Sequence, residues 1–390
     1  MRLPSSESSA SPSPASRARS PLPPPERVAV FRALPLGDML CAVPALRALR
    51  RAWPGAHITL IGLPWAARFV ERFSTLIDEW VVFPGARGFP EQEETDSGLP
   101  AFYAAMRARR FDLALQLHGS GGPANEIVKR FGARACAGFH QPHEPREPGF
   151  IAWPDDLPEP HRYLALVRAL GIDAQDDTLW FPLSLHDRCE YEALEARHGI
   201  EPERLILLHP GAQLPSRRWP PARFAEVADA LSARGWQIAI TGTANEAAIT
   251  AAVLGAMAAP ALHLTGATTL GGLAALVARA RLVVCNDTGI SHVAAAMRTP
   301  STVIASGSDT RRWAPLDRTR HRVLADYPPC RPCAFRDCPF GHACALNVSV
   351  SHVVEAALEQ LSHRARAHPA GASVLHARAH HREQERGHAT

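Results

Sequence analysis

The chain has 390 residues, 46% of them hydrophobic and 21% charged, with a formal net charge of +4. That length suggests two domains, and the composition supports a globular core over most of it. So small a charge excess, with no localised stripe and no aromatic interleaving, argues against a nucleic-acid partner, and no run reaches the about 18 apolar residues of a membrane span.

Residues 1–25 are rich in Ser and Pro and lack the apolar stretch of a signal peptide, so they read as a disordered leader. Without a signal the cytoplasm is the expected compartment, and the eight cysteines are then expected as thiols or metal ligands. Residues 27–34 form the first predicted strand, 35–38 a turn and 39–52 a helix whose Leu40, Val43, Leu46 and Leu49 share one face. Strands at 57–62, 79–83 and 111–117 then alternate with helices at 65–73, 101–109 and 124–131, and 84–100 is a loop. Such alternation predicts a doubly wound parallel sheet.

From 139 to 160 the chain is rich in Pro, His and Glu; a helix at 161–170 and a linker near 173–187 follow. A second series has strands at 205–209, 236–241, 262–265, 282–285 and 302–305. Its helices lie at 221–234, 244–254, 268–280, 291–297 and 350–361. Pro221 suits a first helical turn, and Thr268 or Thr269 suits an N-cap. The expected organisation is an α/β chain of two Rossmann-like domains, 26–180 and 181–363, facing across a cleft, with a disordered tail at 364–390.

Four stretches carry candidate chemistry. Asp38 follows Gly37 at the end of the first strand, where it could accept a proton from an attacking hydroxyl or merely cap the helix. In 209–220 the adjacent Arg217 and Arg218 precede Trp219-Pro220; they suit a diphosphate or are two solvated surface arginines. Asn286, Asp287, Thr288 and Gly289 lie in one turn between a buried strand and a helix bearing His292. Ligands bind at such carboxyl edges and anions at such helix starts, although an ordinary capped junction has the same pattern.

Cys330-x2-Cys333-x4-Cys338-x5-Cys344 is a compact cluster that fits a structural Zn or Fe, with His342 able to replace one ligand, or else free thiols or disulfides. Cys41, Cys136, Cys189 and Cys285 are scattered and read as packing residues. No Gly-x-x-x-x-Gly-Lys-Ser/Thr, Gly-x-Gly-x-x-Gly or Asp-x-Asp motif occurs. Charge opposing a diphosphate must then come from Arg and helix dipoles.

Leu36-Gly-Asp-Met-Leu-Cys-Ala-Val-Pro-Ala-Leu-Arg47, the Arg217-Arg-Trp-Pro220 loop and Asn286-Asp-Thr-Gly-Ile-Ser-His-Val-Ala294 resemble, in order, glycosyltransferase family 9, the ADP-heptose:lipopolysaccharide heptosyltransferases. The resemblance runs from about 27 to 360. It implies a GT-B fold with the acceptor on the N-terminal domain, the nucleotide sugar on the C-terminal one, and inverting transfer without a catalytic metal. By position Asp38 corresponds to the general base, and Asp287, Thr288, Gly289 and His292 to the donor-binding motif. Gly242 and Glu246 correspond to a Gly-x-x-x-Glu element. Arg217 stands where the family often has Lys, which keeps the charge and changes the reach. The implied partners are ADP-heptose and a lipopolysaccharide-core or related glycan, with peripheral membrane contact through a lipid-linked acceptor. Acceptor choice is expected to lie in 84–100 and 139–160. The alternatives are a nucleotide-sugar epimerase on the same fold and a non-catalytic protein that binds sugar nucleotides.

Overall fold

The computed structural model describes residues 24–93 and 95–367. The leader expected at 1–25 and the tail expected at 364–390 therefore lie almost wholly outside the described residues. The last helix, expected to end at 361, runs to Ala367.

The chain builds two parallel six-stranded sheets. The first takes β1 (Arg27–Phe31), β2 (His57–Gly62), β3 (Glu79–Val82), β4 (Leu113–Gln116), β5 (Ala135–His140) and β6 (Phe150–Ala152). The second takes β7 (Leu205–His209), β8 (Gln237–Gly242), β9 (Leu262–Thr265), β10 (Leu282–Asn286), β11 (Ser301–Ile304) and β12 (His321–Leu324). Their spatial orders are β3-β2-β1-β4-β5-β6 and β12-β11-β10-β7-β8-β9. Read from its other edge, the second order repeats the first. Each sheet thus reverses direction once, between β1 and β4 and between β7 and β10, and ligands lie outside the carboxyl ends of strands at such points.

The central strands are apolar because helices cover both faces of a parallel sheet. Every residue of β7 and β10 is buried, as are Val28 to Phe31 of β1. Val28 pairs with Ile58 and Leu113, and Val283 with Leu207 and Ser301.

In the first half the helices are α1 (Leu36–Ala52), α2 (Ala66–Arg72), α3 (Leu99–Ala108), α4 (Pro123–Lys129) and α5 (Glu159–Ala169). In the second they are α6 (Leu185–His198), α7 (Pro221–Ser232), α8 (Ala247–Ala256), α9 (Leu270–Arg279), α10 (Gly289–Ala296), α11 (Thr310–Trp313), α12 (Ala343–Leu346) and α13 (Val350–Ala367). Pro221 takes the first turn of α7, and Thr269 caps α9 by accepting from the Gly272 N–H at 3.1 Å.

Three strands and one long helix depart from expectation. β5 (Ala-Cys-Ala-Gly-Phe-His) and β12 (His-Arg-Val-Leu) carry weak strand signals, and β6 has three residues. Pairing with a formed neighbour makes them strands, not propensity. The stretch read as a linker gives way at Leu185 to α6, which Ser184 and Asp187 close with a capping box.

One buried apolar cluster crosses between the halves, from Leu40, Val43 and Leu46 of α1 to Ile290 and Val293 of α10. That packing brings the carboxyl edges of the two sheets to one cleft. Among the described residues no helix is long and apolar enough to cross a membrane.

Candidate active site

The cleft has a volume of about 910 Å³ and is lined from both halves. Its centre is the meeting of two helix starts. β1 runs through Arg32 to Pro35 into the first turn of α1, and β10 runs through Asp287 and Thr288 into α10. A Cβ on Gly37 would stand 2.9 Å from His292 Cδ2 and 3.2 Å from the Gly289 Cα. The two first turns therefore touch, and only glycine fits at 37.

Asp38 is the third residue of α1, so the alternative that it caps the helix fails. The cap position belongs to Pro35, which offers no side-chain hydrogen bond. The half-buried Asp38 carboxylate lines the cleft and accepts no hydrogen bond from the described residues. Burial pushes its carboxyl above the usual range, the Arg32 guanidinium pulls it back, and Glu159 pushes it up again. An unengaged carboxylate of raised basicity is suited to taking a proton from a bound hydroxyl.

Opposite it, the first N–H groups of α10 lack intrahelical partners by geometry. Its N-cap residue Thr288 makes no side-chain cap. These groups and the helix dipole favour an anion. Asp287 stands beside them and accepts from Ser308 Oγ at 2.5 Å. His292 is buried and lines the same wall, with its Nδ1 3.7 Å from Cys41 Sγ. Burial lowers the imidazole below its ordinary value, so it is neutral near pH 7 and suited to hydrogen bonding.

The loop after β7 supplies the third wall. Asn286, fully buried, accepts from the Trp219 N–H at 3.0 Å and donates to the Pro210 carbonyl at 2.7 Å. That pair of bonds fixes the loop onto β10. Arg217 lines the cleft; its Nη1 donates to Ser306 O at 3.0 Å and its Nη2 to Cys333 O. Arg218 turns away and donates to Ala212 O at 2.8 Å. Both are half-buried and bonded, so neither is a solvated surface arginine. Held this way, the Arg217 guanidinium is fixed in place at the cleft wall, an arrangement suited to an anion.

The two residues of the Gly-x-x-x-Glu element separate. Glu246 borders the cleft and accepts from Thr243 N–H at 2.8 Å and Thr243 Oγ1 at 2.9 Å. Gly242 ends β8 and is not among the cleft-lining residues. A Cβ there would stand 2.9 Å from Thr250 Cγ2, so its glycine serves packing.

All eight cysteines are free thiols. Cys330, Cys338 and Cys344 border one cavity of about 420 Å³, and Cys330 and Cys333 border a second. Among the described residues no three His, Cys, Asp or Glu side chains are arranged to hold a metal ion. His342 Nε2 lies 2.9 Å from Ser216 O and donates to it, and His342 forms no such group with the cysteines. Cys189 is exposed and so is not a packing residue.

Sequence reasoning missed the charged layer beneath the cleft, Arg32, Glu159 and Arg312, of which only Arg312 lines it. Arg32 is 1% exposed, and its Nε and Nη2 donate to the Asp38 carbonyl at 3.1 and 2.6 Å. Glu159, also 1% exposed, takes the Arg312 Nε at 2.6 Å and Nη2 at 3.1 Å. A charged residue ending the apolar run Val28–Phe31 was the available signal, since a buried charge needs a partner.

A family model described as glycosyltransferase family 9 (heptosyltransferase) matches residues 100–344. The chain is 28% identical over 305 residues to lipopolysaccharide heptosyltransferase 2 of Salmonella typhimurium, covering 74% of this chain and 85% of that protein. In structure it is similar to a family 9 glycosyltransferase from Veillonella parvula, with a TM-score of 0.72 and 23% identity over 87% of this chain and 98% of that one. It is also similar to Escherichia coli ADP-heptose lps heptosyltransferase II, with a TM-score of 0.66 and 21% identity over 87% of this chain and 99% of that one. Both likenesses confirm the GT-B arrangement of two facing α/β domains.

Asn286→Ala should orphan the Trp219 N–H and the Pro210 carbonyl, at about 1–3 kcal/mol for each buried group. The expected result is a lower urea midpoint; an unchanged midpoint would show that the Asn286 bridge does not hold the loop.

Proposed function

The chain belongs to glycosyltransferase family 9, and on that premise we propose that it transfers a heptosyl group from ADP-heptose to a hydroxyl of a lipopolysaccharide-core or related glycan, with inversion and without a catalytic metal. The observation that carries the reading is the Asp38 carboxylate: it lines the cleft, accepts no hydrogen bond from the described residues and stands on the helix start that meets α10.

In this reading the acceptor hydroxyl lies against Asp38 and the nucleotide sugar against the second sheet. As the hydroxyl attacks the anomeric carbon, Asp38 takes its proton and the bond to the diphosphate breaks. Attack from the side opposite the leaving group inverts the configuration. The leaving diphosphate meets Arg217 and the N–H groups that open α10, so its growing charge falls on donors already in place. Asp287, Thr288, Gly289 and neutral His292 orient the donor, and Glu246 completes the wall behind it. The relative from Salmonella typhimurium is named for transfer of heptose to lipopolysaccharide, which supports the sugar and the acceptor class. A lipid-linked acceptor would bring the protein to a membrane surface without a spanning helix.

A structural Zn or Fe on Cys330, Cys333, Cys338 and Cys344 is the second part of this proposal. Its support is the grouping of the four thiols around two adjoining cavities; their present geometry does not form a ligand shell. A bound ion would tether the excursion that holds Arg217 through Cys333.

Asp38→Asn should lower transfer by about 10²–10⁴-fold, the usual contribution of a general base. It should leave the thermal shift with ADP-heptose close to that of the unmodified enzyme. Near-normal transfer by this variant would end the base assignment. Elemental analysis of purified, reduced protein should find about one Zn or Fe per chain, the complement of a four-ligand site; protein without either metal would remove the structural-ion proposal.

A further inference from the structure

We propose that Arg32, Glu159 and Arg312 form a positioning chain that sets Asp38, and that its last member reaches across the cleft, so the base is set only when the two domains are apposed. This rests on the reading of Asp38 as the base.

The chain begins beneath the base. Arg32 follows β1 and is buried. Two of its nitrogens hold the Asp38 carbonyl, a third donates to the Leu117 carbonyl, and the guanidinium lies 4.4 Å from the centre of the Tyr163 ring. These bonds fix the first turn of α1 from below, so they set where its third residue points. Behind Arg32 stands Glu159, the first residue of α5, with its Oε1 3.9 Å from Arg32 Nη2 and accepting from the Tyr163 hydroxyl.

Glu159 is gripped from the other domain. Arg312 of α11 donates to both of its oxygens, at 2.6 and 3.1 Å. Bidentate pairing of this kind fixes geometry as well as charge. Burial alone would raise the Glu159 carboxyl, but the Arg312 bonds and charge, with Arg32 behind them, hold it below its usual range. It is therefore ionised wherever the enzyme works. Arg162 adds a third guanidinium, its Nε 3.8 Å from Glu159 Oε2. Withdrawing one partner from such a buried charged cluster leaves an uncompensated charge, which is strongly unfavourable. Opening the cleft would withdraw Arg312 and leave Glu159 and Arg32 to rearrange under Asp38.

The groups that face Asp38 come from four elements: Arg32 at the end of β1, Glu159 on α5, His292 on α10 and Arg312 on α11. Cys41 and Tyr163 also lie within this set, both as neutral groups because burial pushes their protons' release well above the ordinary range. Arg32 and Arg312 favour the Asp38 carboxylate and Glu159 disfavours it. Removing Arg312 must therefore raise the pH at which Asp38 gives up its proton, and removing the Glu159 charge must lower it. Side chains that served only to pack would move neither.

The test is the pH profile of kcat/KM for ADP-heptose transfer by the full chain carrying Arg312→Gln, Arg312→Lys or Glu159→Gln. Arg312 is the better probe because Arg32→Lys loses the planar fork that bonds both the Asp38 and Leu117 carbonyls and could fail to fold. Arg312→Gln should lower kcat by about 10–10²-fold, the scale of a misplaced catalytic group, with donor KM little changed and the acid limb at higher pH. Arg312→Lys should return the limb towards its original place while kcat stays low, since it restores charge without the bidentate grip. Glu159→Gln should lower kcat and move the limb to lower pH. Acid limbs that stay in place, or move the same way in Arg312→Gln and Glu159→Gln, would overturn the positioning chain. If Asp38→Asn is inactive and these limbs do not move, the base stands and this inference alone falls. An Asp38→Asn enzyme with near-normal transfer would remove both.

Discussion

Two helices from two different sheets begin at the same point, and the cleft exists because they can. Gly37 allows it: any side chain there would meet the His292 ring and the Gly289 backbone. The contact fixes how the carboxyl edge of β1 faces that of β10. It also concentrates two positive helix ends in one place. The Asp38 carboxylate on one of them and the open N–H groups of the other are then held at a separation set by backbone, not by flexible side chains.

Charge buried beneath the cleft is the second constraint. Among the described residues nothing hydrogen-bonds the Asp38 carboxylate, while its carbonyl is tied from below by Arg32. Fixing the carbonyl and sparing the carboxylate leaves a carboxylate that is rigidly placed and still able to take a proton, as the proposed base must be. The cost is a buried guanidinium, which the structure offsets with three carbonyl bonds, the Tyr163 ring and Glu159. Arg217 is treated in the same way at the opposite wall, where Ser306 and Cys333 carbonyls hold it. In both cases backbone oxygens do the holding. These are the groups least able to move when substrate enters.

The doubly wound fold, and the turns that meet at the cleft, were legible because both leave local marks. A parallel sheet covered on both faces needs apolar runs such as Ile206–Leu208 and Leu282–Cys285, and its ligand-binding turns follow those runs directly. Asp38, Arg217 and the Asp287–His292 turn could therefore be found one strand at a time. Glu159 and Arg312 could not, since they meet across 153 positions and neither neighbourhood announces a partner. The same limit hid β5, β6 and β12, which depend on the strand beside them. It also hid the bond from His342 to the Ser216 carbonyl, which ties that residue to the loop beside Arg217. Gly242 was misjudged for the opposite reason: its local pattern fitted a ligand turn, but the glycine makes room for Thr250.

The central claim is that one wall of the cleft takes the diphosphate and the other the proton. A crystal structure with a non-transferable ADP-heptose analogue tests it most directly. The expected result is the diphosphate at the first turn of α10 beside Arg217, with the anomeric carbon facing the Asp38 carboxylate across space for one hydroxyl. A diphosphate seated at the first sheet, or an anomeric carbon turned away from Asp38, would contradict it.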